Sequence, residues 1–184
     1  LLVFLLLLSF SSTLYYGYKY VHKRQFLDLN KIDITKSVNA ITLDKKLSNL
    51  KWITILNPND PNNEILKLNE AINIIKNDNK NKAIVTDYQF ISVILSSYDY
   101  SPNKYWYKHH AYPSLNQKYF EVYKKFFLSK LKQNNIQIFY IVKPLWGDNN
   151  VLEDVLDESC YRRKVLTEIL ESYTLLNCID LNNN

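Results

Sequence analysis

The residues best placed for chemistry are Asp87, Tyr88 and Gln89. They follow a short apolar run, Ala83-Ile84-Val85-Thr86, and lead at once into a second one starting at Phe90. In open α/β sheets ligands collect at the carboxyl ends of strands, which is where these three fall. A carboxylate there can bind sugar hydroxyls or act as a base. The same Asp87 can cap the helix that follows it, and one residue can do both. His109 and His110 are adjacent, so in an extended segment they point to opposite sides. No Cys, His or carboxylate stands at zinc-ligand spacing from them, so no metal site is read in this chain. Trp106, beside Tyr107, offers an aromatic surface on which a sugar ring could stack, or else simple packing under a loop.

Several reaction classes are excluded. No G-x-S-x-G occurs, so there is no nucleophile elbow of the hydrolase kind. Two glycines, Gly17 and Gly147, cannot build a Walker loop or a dinucleotide-binding turn. Asp148, Glu153, Asp154, Asp157 and Glu158 form an acidic run around a helix start, read as a solvated face with dipole-favoured first-turn acids. The net charge of +5 comes from lysines scattered over helix faces and loops, so no nucleic-acid partner is expected.

The elements that must position these residues alternate. Val38–Leu43 is a candidate first strand and Lys51–Leu56 a buried one, rich in β-branched residues. The breaker NPNDP ends it, and Asp60-Pro61 starts a helix whose apolar positions Ile65, Leu68, Ile72 and Ile75 recur at three and four. Residues 83–86 form the next strand. Pro102 and Pro113 interrupt any helix between Ser97 and Leu115. Asn116–Gln133 reads as a helix with Phe120, Tyr123, Phe127 and Leu131 on one face, ended by Asn134-Asn135. Ile136–Val142 is a continuous apolar strand of the kind buried in parallel sheets. A last helical region carries Leu166, Ile169 and Leu170, and residues 178–181 suggest a final strand. Together these predict a three-layer α/β domain over 38–184, with a mainly parallel sheet flanked by helices.

Residues 1–18 carry no charge, LLVFLLLLSFSSTLYYGY, and are long enough for a transmembrane helix, expected over 1–22 with membrane lipid around it. Tyr15, Tyr16, Tyr18 and Tyr20 stand where an interfacial belt would lie. A secretory signal is disfavoured because no small-residue cleavage triplet follows. The sequence contains no Met and opens inside the apolar run, so it is expected to be the C-terminal piece of a longer, multi-pass protein. A polar linker spans 23–37. The basic run His22, Lys23 and Arg24, where the helix meets this linker, favours a cytoplasmic domain by the positive-inside rule. Cys160 and Cys178 are the only cysteines. On an oxidising side they would bridge; in a cytosolic domain they would be two buried thiols.

The segments LKWITILNPNDP, AIVTDYQFIS, SPNKYW, YFEVYKKFF and IQIFYIVKPLW, with the paired late cysteines, resemble a known pattern over about residues 10–181. It is similar to the extramembrane C-terminal domain of multi-pass bacterial GT-C type glycosyltransferases, related to the dolichyl-phosphate-mannose protein mannosyltransferases. The resemblance implies a membrane transferase taking sugar from a polyprenyl-phosphate donor to a cell-envelope glycan acceptor, by inversion, on the periplasmic face of the inner membrane. It also implies that the acceptor-activating carboxylate, and any divalent metal, belong to a loop near the enzyme's N-terminus. No catalytic residue or cofactor is therefore assigned to this chain. The competing expectation is a membrane-anchored α/β domain with its own carbohydrate-binding or hydrolytic role centred on Asp87.

Overall fold

The computed structural model describes residues 2–22, 29, 31–95, 100–103, 106, 111–145 and 151–176. The chain divides into two compact units, Leu1–Glu64 and Ile65–Asn184.

The first unit opens with α1, Leu2–Gly17, prolonged by one π-helical turn, Tyr18–His22. Every residue from 2 to 16 is exposed. At about 1.5 Å per residue, 16 residues reach roughly 24 Å, short of the roughly 30 Å of a bilayer core. No helix among the described residues is long and apolar enough to cross a membrane, so the expected span over 1–22 is a shorter apolar helix. The expected strands at 38–43 and 51–56 shrink to β1, Val38–Asn39, paired antiparallel with β2, Lys51–Trp52. The cause is local. The Thr54 hydroxyl accepts from the backbone N–H groups of Leu56 and Asn57, at 3.3 and 3.4 Å, and turns the chain out of the ladder. Thr54 also donates to the Glu64 carboxylate at 2.8 Å, where the Trp52 indole N–H arrives at 3.1 Å, so the buried Glu64 is well paired. Asp60 accepts from the Asn63 N–H at 3.1 Å, and with Pro61 in the first turn it starts α2, Pro61–Asn77.

In the second unit four strands form one sheet in the order β3-β4-β6-β5: β3 Lys82–Thr86, β4 Ile138–Val142, β5 Tyr161–Val165 and β6 Leu170–Leu175. Only β3 and β4 run parallel; β4–β6 and β6–β5 are antiparallel. The fold is α/β with a mixed sheet, which corrects the expectation of a mainly parallel one. The region expected to be helical around Leu166 is instead the turn of the β5–β6 hairpin, closed by the Leu166 and Thr167 N–H groups on the Leu170 carbonyl. Every residue of β3 and β4 is buried, as their apolar runs require. One face carries Ala83, Val85, Phe139, Ile141 and Tyr173 against Phe120, Phe127 and Leu131 of α4, Phe120–Gln133, and Val151, Leu152 and Val155 of α5, Val151–Val155. From the other face Lys82 and Tyr140 reach the end of α2. The Lys82 ammonium donates to the Ile75 carbonyl at 2.7 Å and to that of Asp78, and the Tyr140 hydroxyl donates to the Asp78 carboxylate at 2.6 Å. A buried lysine thus occupies acceptors that the helix terminus leaves open.

Candidate functional site

The turn after β3 is set by its last residue. The Thr86 hydroxyl accepts the Tyr88 N–H at 3.1 Å, and the short α3, Phe90–Leu95, follows. Asp87 and Tyr88 are half-buried and Gln89 is exposed, so the three do stand at the carboxyl end of a buried parallel strand. The Tyr88 ring meets Phe90 edge-on, with centroids 5.7 Å apart. The strand's free edge is occupied locally. Ser101 accepts the Ile84 N–H and donates to the Ile84 carbonyl, at 2.8 and 2.7 Å, and the Tyr100 N–H bonds to the Lys82 carbonyl at 3.0 Å.

Tyr112 is 3 % exposed, and its hydroxyl, fully buried, makes no hydrogen bond. Its ring stacks on Tyr123 with centroids 5.9 Å apart, and Tyr123 accepts from the Asn103 side chain at 2.7 Å. Asp154 lies on α5 beside the buried Val151, Leu152 and Val155. Burial, then the negative charges of Asp154 and Asp87, push the Tyr112 phenol up to about 12. Across the ordinary pH range the Tyr112 phenol therefore keeps its proton. Burial also pushes the Tyr123 phenol up, only partly opposed by the Asn103 hydrogen bond. Among the described residues no group of three or more His, Cys, Asp and Glu could hold a metal ion.

Trp106 is not a stacking platform. It is 6 % exposed and sits edge-on to Phe127, centroids 6.4 Å apart, inside the core. His109 and His110 lie outside the described residues, as does Cys178. Cys160 is buried in the 3-10 turn Glu158–Cys160, and the Leu176 N–H donates to its carbonyl at 2.9 Å.

Tyr112 was not singled out in the sequence, and Asp154 was read there only as part of a solvated acidic face. Asp154 had a signal: three residues after Val151, it flanks the apolar face of its helix. Tyr112 had none, being one of 15 tyrosines.

A second polar cluster joins the strands. The Glu171 carboxylate accepts from Lys143, and from Arg163 Nε and Nη2 at 3.1 and 3.0 Å. The Tyr173 hydroxyl is 3.4 Å from both Glu153 and Glu171. Each charge here has an opposite partner, the signature of a structural network.

No protein-family model, no curated protein and no solved structure matches this chain.

Proposed function

We propose that this chain is the accessory domain of a membrane glycosyltransferase that passes sugar from a polyprenyl-phosphate donor to a cell-envelope acceptor. In this reading α1 lies in lipid and the α/β domain, on the periplasmic side, handles acceptor or glycan. One observation carries it: a single chain combines an uncharged helix exposed along its length with a half-buried carboxylate, Asp87, at the end of a buried parallel strand. Exposed apolar surface on that scale gains free energy by leaving water. A carboxylate at that position suits a ligand rich in hydroxyl groups. Donor binding and any divalent metal then belong to protein outside this sequence.

The test is sugar transfer by membranes carrying the full-length enzyme with Asp87→Asn, at unchanged protein level. Asn keeps the size of the side chain and an oxygen that can accept from backbone N–H groups, but removes the charge. Loss of transfer supports the acceptor role; wild-type transfer leaves Asp87 as a cap only. The competing reading is an independent carbohydrate-binding or hydrolytic domain centred on Asp87. It requires the purified chain to bind or cleave glycosides without any membrane partner.

The Cys160–Cys178 bridge belongs to the same proposal. The Leu176 N–H donates to the Cys160 carbonyl, which brings the chain beside Cys160 two residues before Cys178. Peptide mapping without reduction should recover the linked pair. Two free thiols in material from an intact envelope would move the domain to the cytoplasmic side.

A further inference from the structure

We infer that the outer face of α4 is a docking surface for a layer of anionic lipid headgroups. The inference goes beyond the transferase reading and does not depend on it. α4 turns Phe120, Phe127 and Leu131 into the core. Away from the core a second apolar row begins at Leu115, in the turn before the helix, and continues through Tyr119, Val122 and Phe126. The last three recur at three and four, so they share one edge of the helix. All four are 44–66 % exposed. Single apolar residues on a surface need no account, whereas a contiguous row of large ones does. Even the N-cap position belongs to the row: Tyr119 stands there and makes no capping bond.

Charge selects the partner. Residues 118–133 hold five lysines against one Glu, a net +4 in a chain of net +5. The Lys118 ammonium lies over the Tyr119 ring at 5.4 Å, and that of Lys130 over the Phe126 ring at 6.0 Å. Lys125 and Lys132, both exposed, are seven residues apart and so stand on one row. Among the described residues none of the five lysines forms an ion pair. Exposed rings edged by unpaired ammonium groups match a bilayer surface. There the rings enter the acyl boundary by about 5–10 Å while the lysine heads stay with the phosphates. A second copy would bring the same positive charge to the contact and be repelled. Four side chains in one row also fall far short of the roughly 20–30 residues per side of a stable protein interface.

The experiment uses the full chain in bicelles of phosphatidylcholine alone and of phosphatidylcholine enriched in phosphatidylglycerol. Acylation of each lysine is read by peptide mass spectrometry, relative to the exposed Lys164 of β5. Lys118 and Lys125 should react about fivefold more slowly in the anionic bicelles, the factor for one ammonium held at an anionic surface. High salt should remove the difference, because at about 1 M the Debye length falls to about 3 Å. Two substitutions should abolish the protection. Val122→Asp places a charge in the apolar row and leaves the core untouched. Tyr119→Ser removes a ring but supplies a favoured N-cap, so it should melt no lower than wild type and keeps the test open if Val122→Asp fails to fold. Equal rates in the two lipids overturn the surface, as does protection that survives Tyr119→Ser. Protection already complete in plain detergent micelles overturns it too, since a protein contact would then cover the row. Sugar transfer by Asp87→Asn membranes is a separate readout, so either proposal can fail alone.

Discussion

Asn135 shows how one side chain ends an element and seats the next. Its φ is 49°, in the left-handed region that L-residues enter at a cost and glycine enters freely. The Ile136 N–H reaches back to the Leu131 carbonyl at 2.9 Å, and the Asn135 N–H to the Lys132 carbonyl at 3.0 Å. These two bonds form a Schellman motif, with its customary apolar contact supplied by Leu131 and Ile136 in the core. Asn135→Gly should therefore be stabilising by up to about 1 kcal/mol, and Asn135→Val should cost about 1–2 kcal/mol, both read from urea unfolding of the chain in detergent. Equal stability of the two variants would remove the left-handed cap from the account. The stop itself was legible, because Asn-Asn after a periodic helix is a known terminator. At the candidate site legibility was uneven: Asp87 was found by its place after an apolar run, whereas Tyr112 has no local pattern to betray it.

At the scale of elements, apolar period decided what could be read. β3 and β4 are continuous apolar runs and α2 and α4 carry clear helical stripes, and all four formed about where expected. The β5–β6 hairpin was missed because its strands do not alternate cleanly. Glu171 stands on the same face of β6 as Tyr173, opposite Ile141 of β4, and is held there by Arg163 and Lys143 rather than by apolar neighbours. Burial alone would raise the Glu171 carboxyl, but hydrogen bonds from Arg163 and Lys143, and their charges, outweigh it and hold it below the ordinary value of about 4.3. A carboxylate with a depressed pKa in the fold gives stability that is present above its unfolded pKa and lost as pH falls through the folded one. The network should therefore stabilise the hairpin at neutral pH and fail below about pH 4.3. Glu171→Gln should cost about 1–2 kcal/mol at pH 7, between the values for surface and buried pairs, because both cations are about half exposed. Asp78 is also held low, against its own burial, chiefly by the Tyr140 hydrogen bond, so the informative quantity is the difference between wild type and variant. Denaturant titrations at pH 7, 5 and 3 should show that difference shrinking; a constant gap would mean that Glu171 acts through packing alone.

For the molecule as a whole, the open question is what α1 does. Its 16 residues include no charge, and its large side chains stand far out, with Leu2 73 % and both Phe4 and Phe10 63 % exposed. A helix apolar all round is a buried or lipid-facing helix, not an amphipathic one. Beyond Gly17 the character changes within one turn. Tyr16 stacks on Tyr20 at 5.4 Å, and the Lys19 ammonium lies over the rings of Tyr15 and Tyr20 at 5.5 and 5.6 Å. Such a mixture of aromatic rings and a cation suits a headgroup layer, where one end of each side chain is wet and the other is not. We therefore expect α1 to lie in lipid with Tyr15–Tyr20 at its boundary, and the chain to stay with bacterial membranes through alkaline carbonate extraction. Leu6→Arg places a charge in the apolar stretch and should cost about 3 kcal/mol of insertion, enough to move most of the chain into the supernatant. Lys19→Leu, at the boundary, should leave partitioning nearly unchanged. If the wild-type chain is extracted by carbonate, or if Leu6→Arg stays as firmly bound as wild type, α1 is not a lipid-embedded helix and its exposed face must be covered by protein.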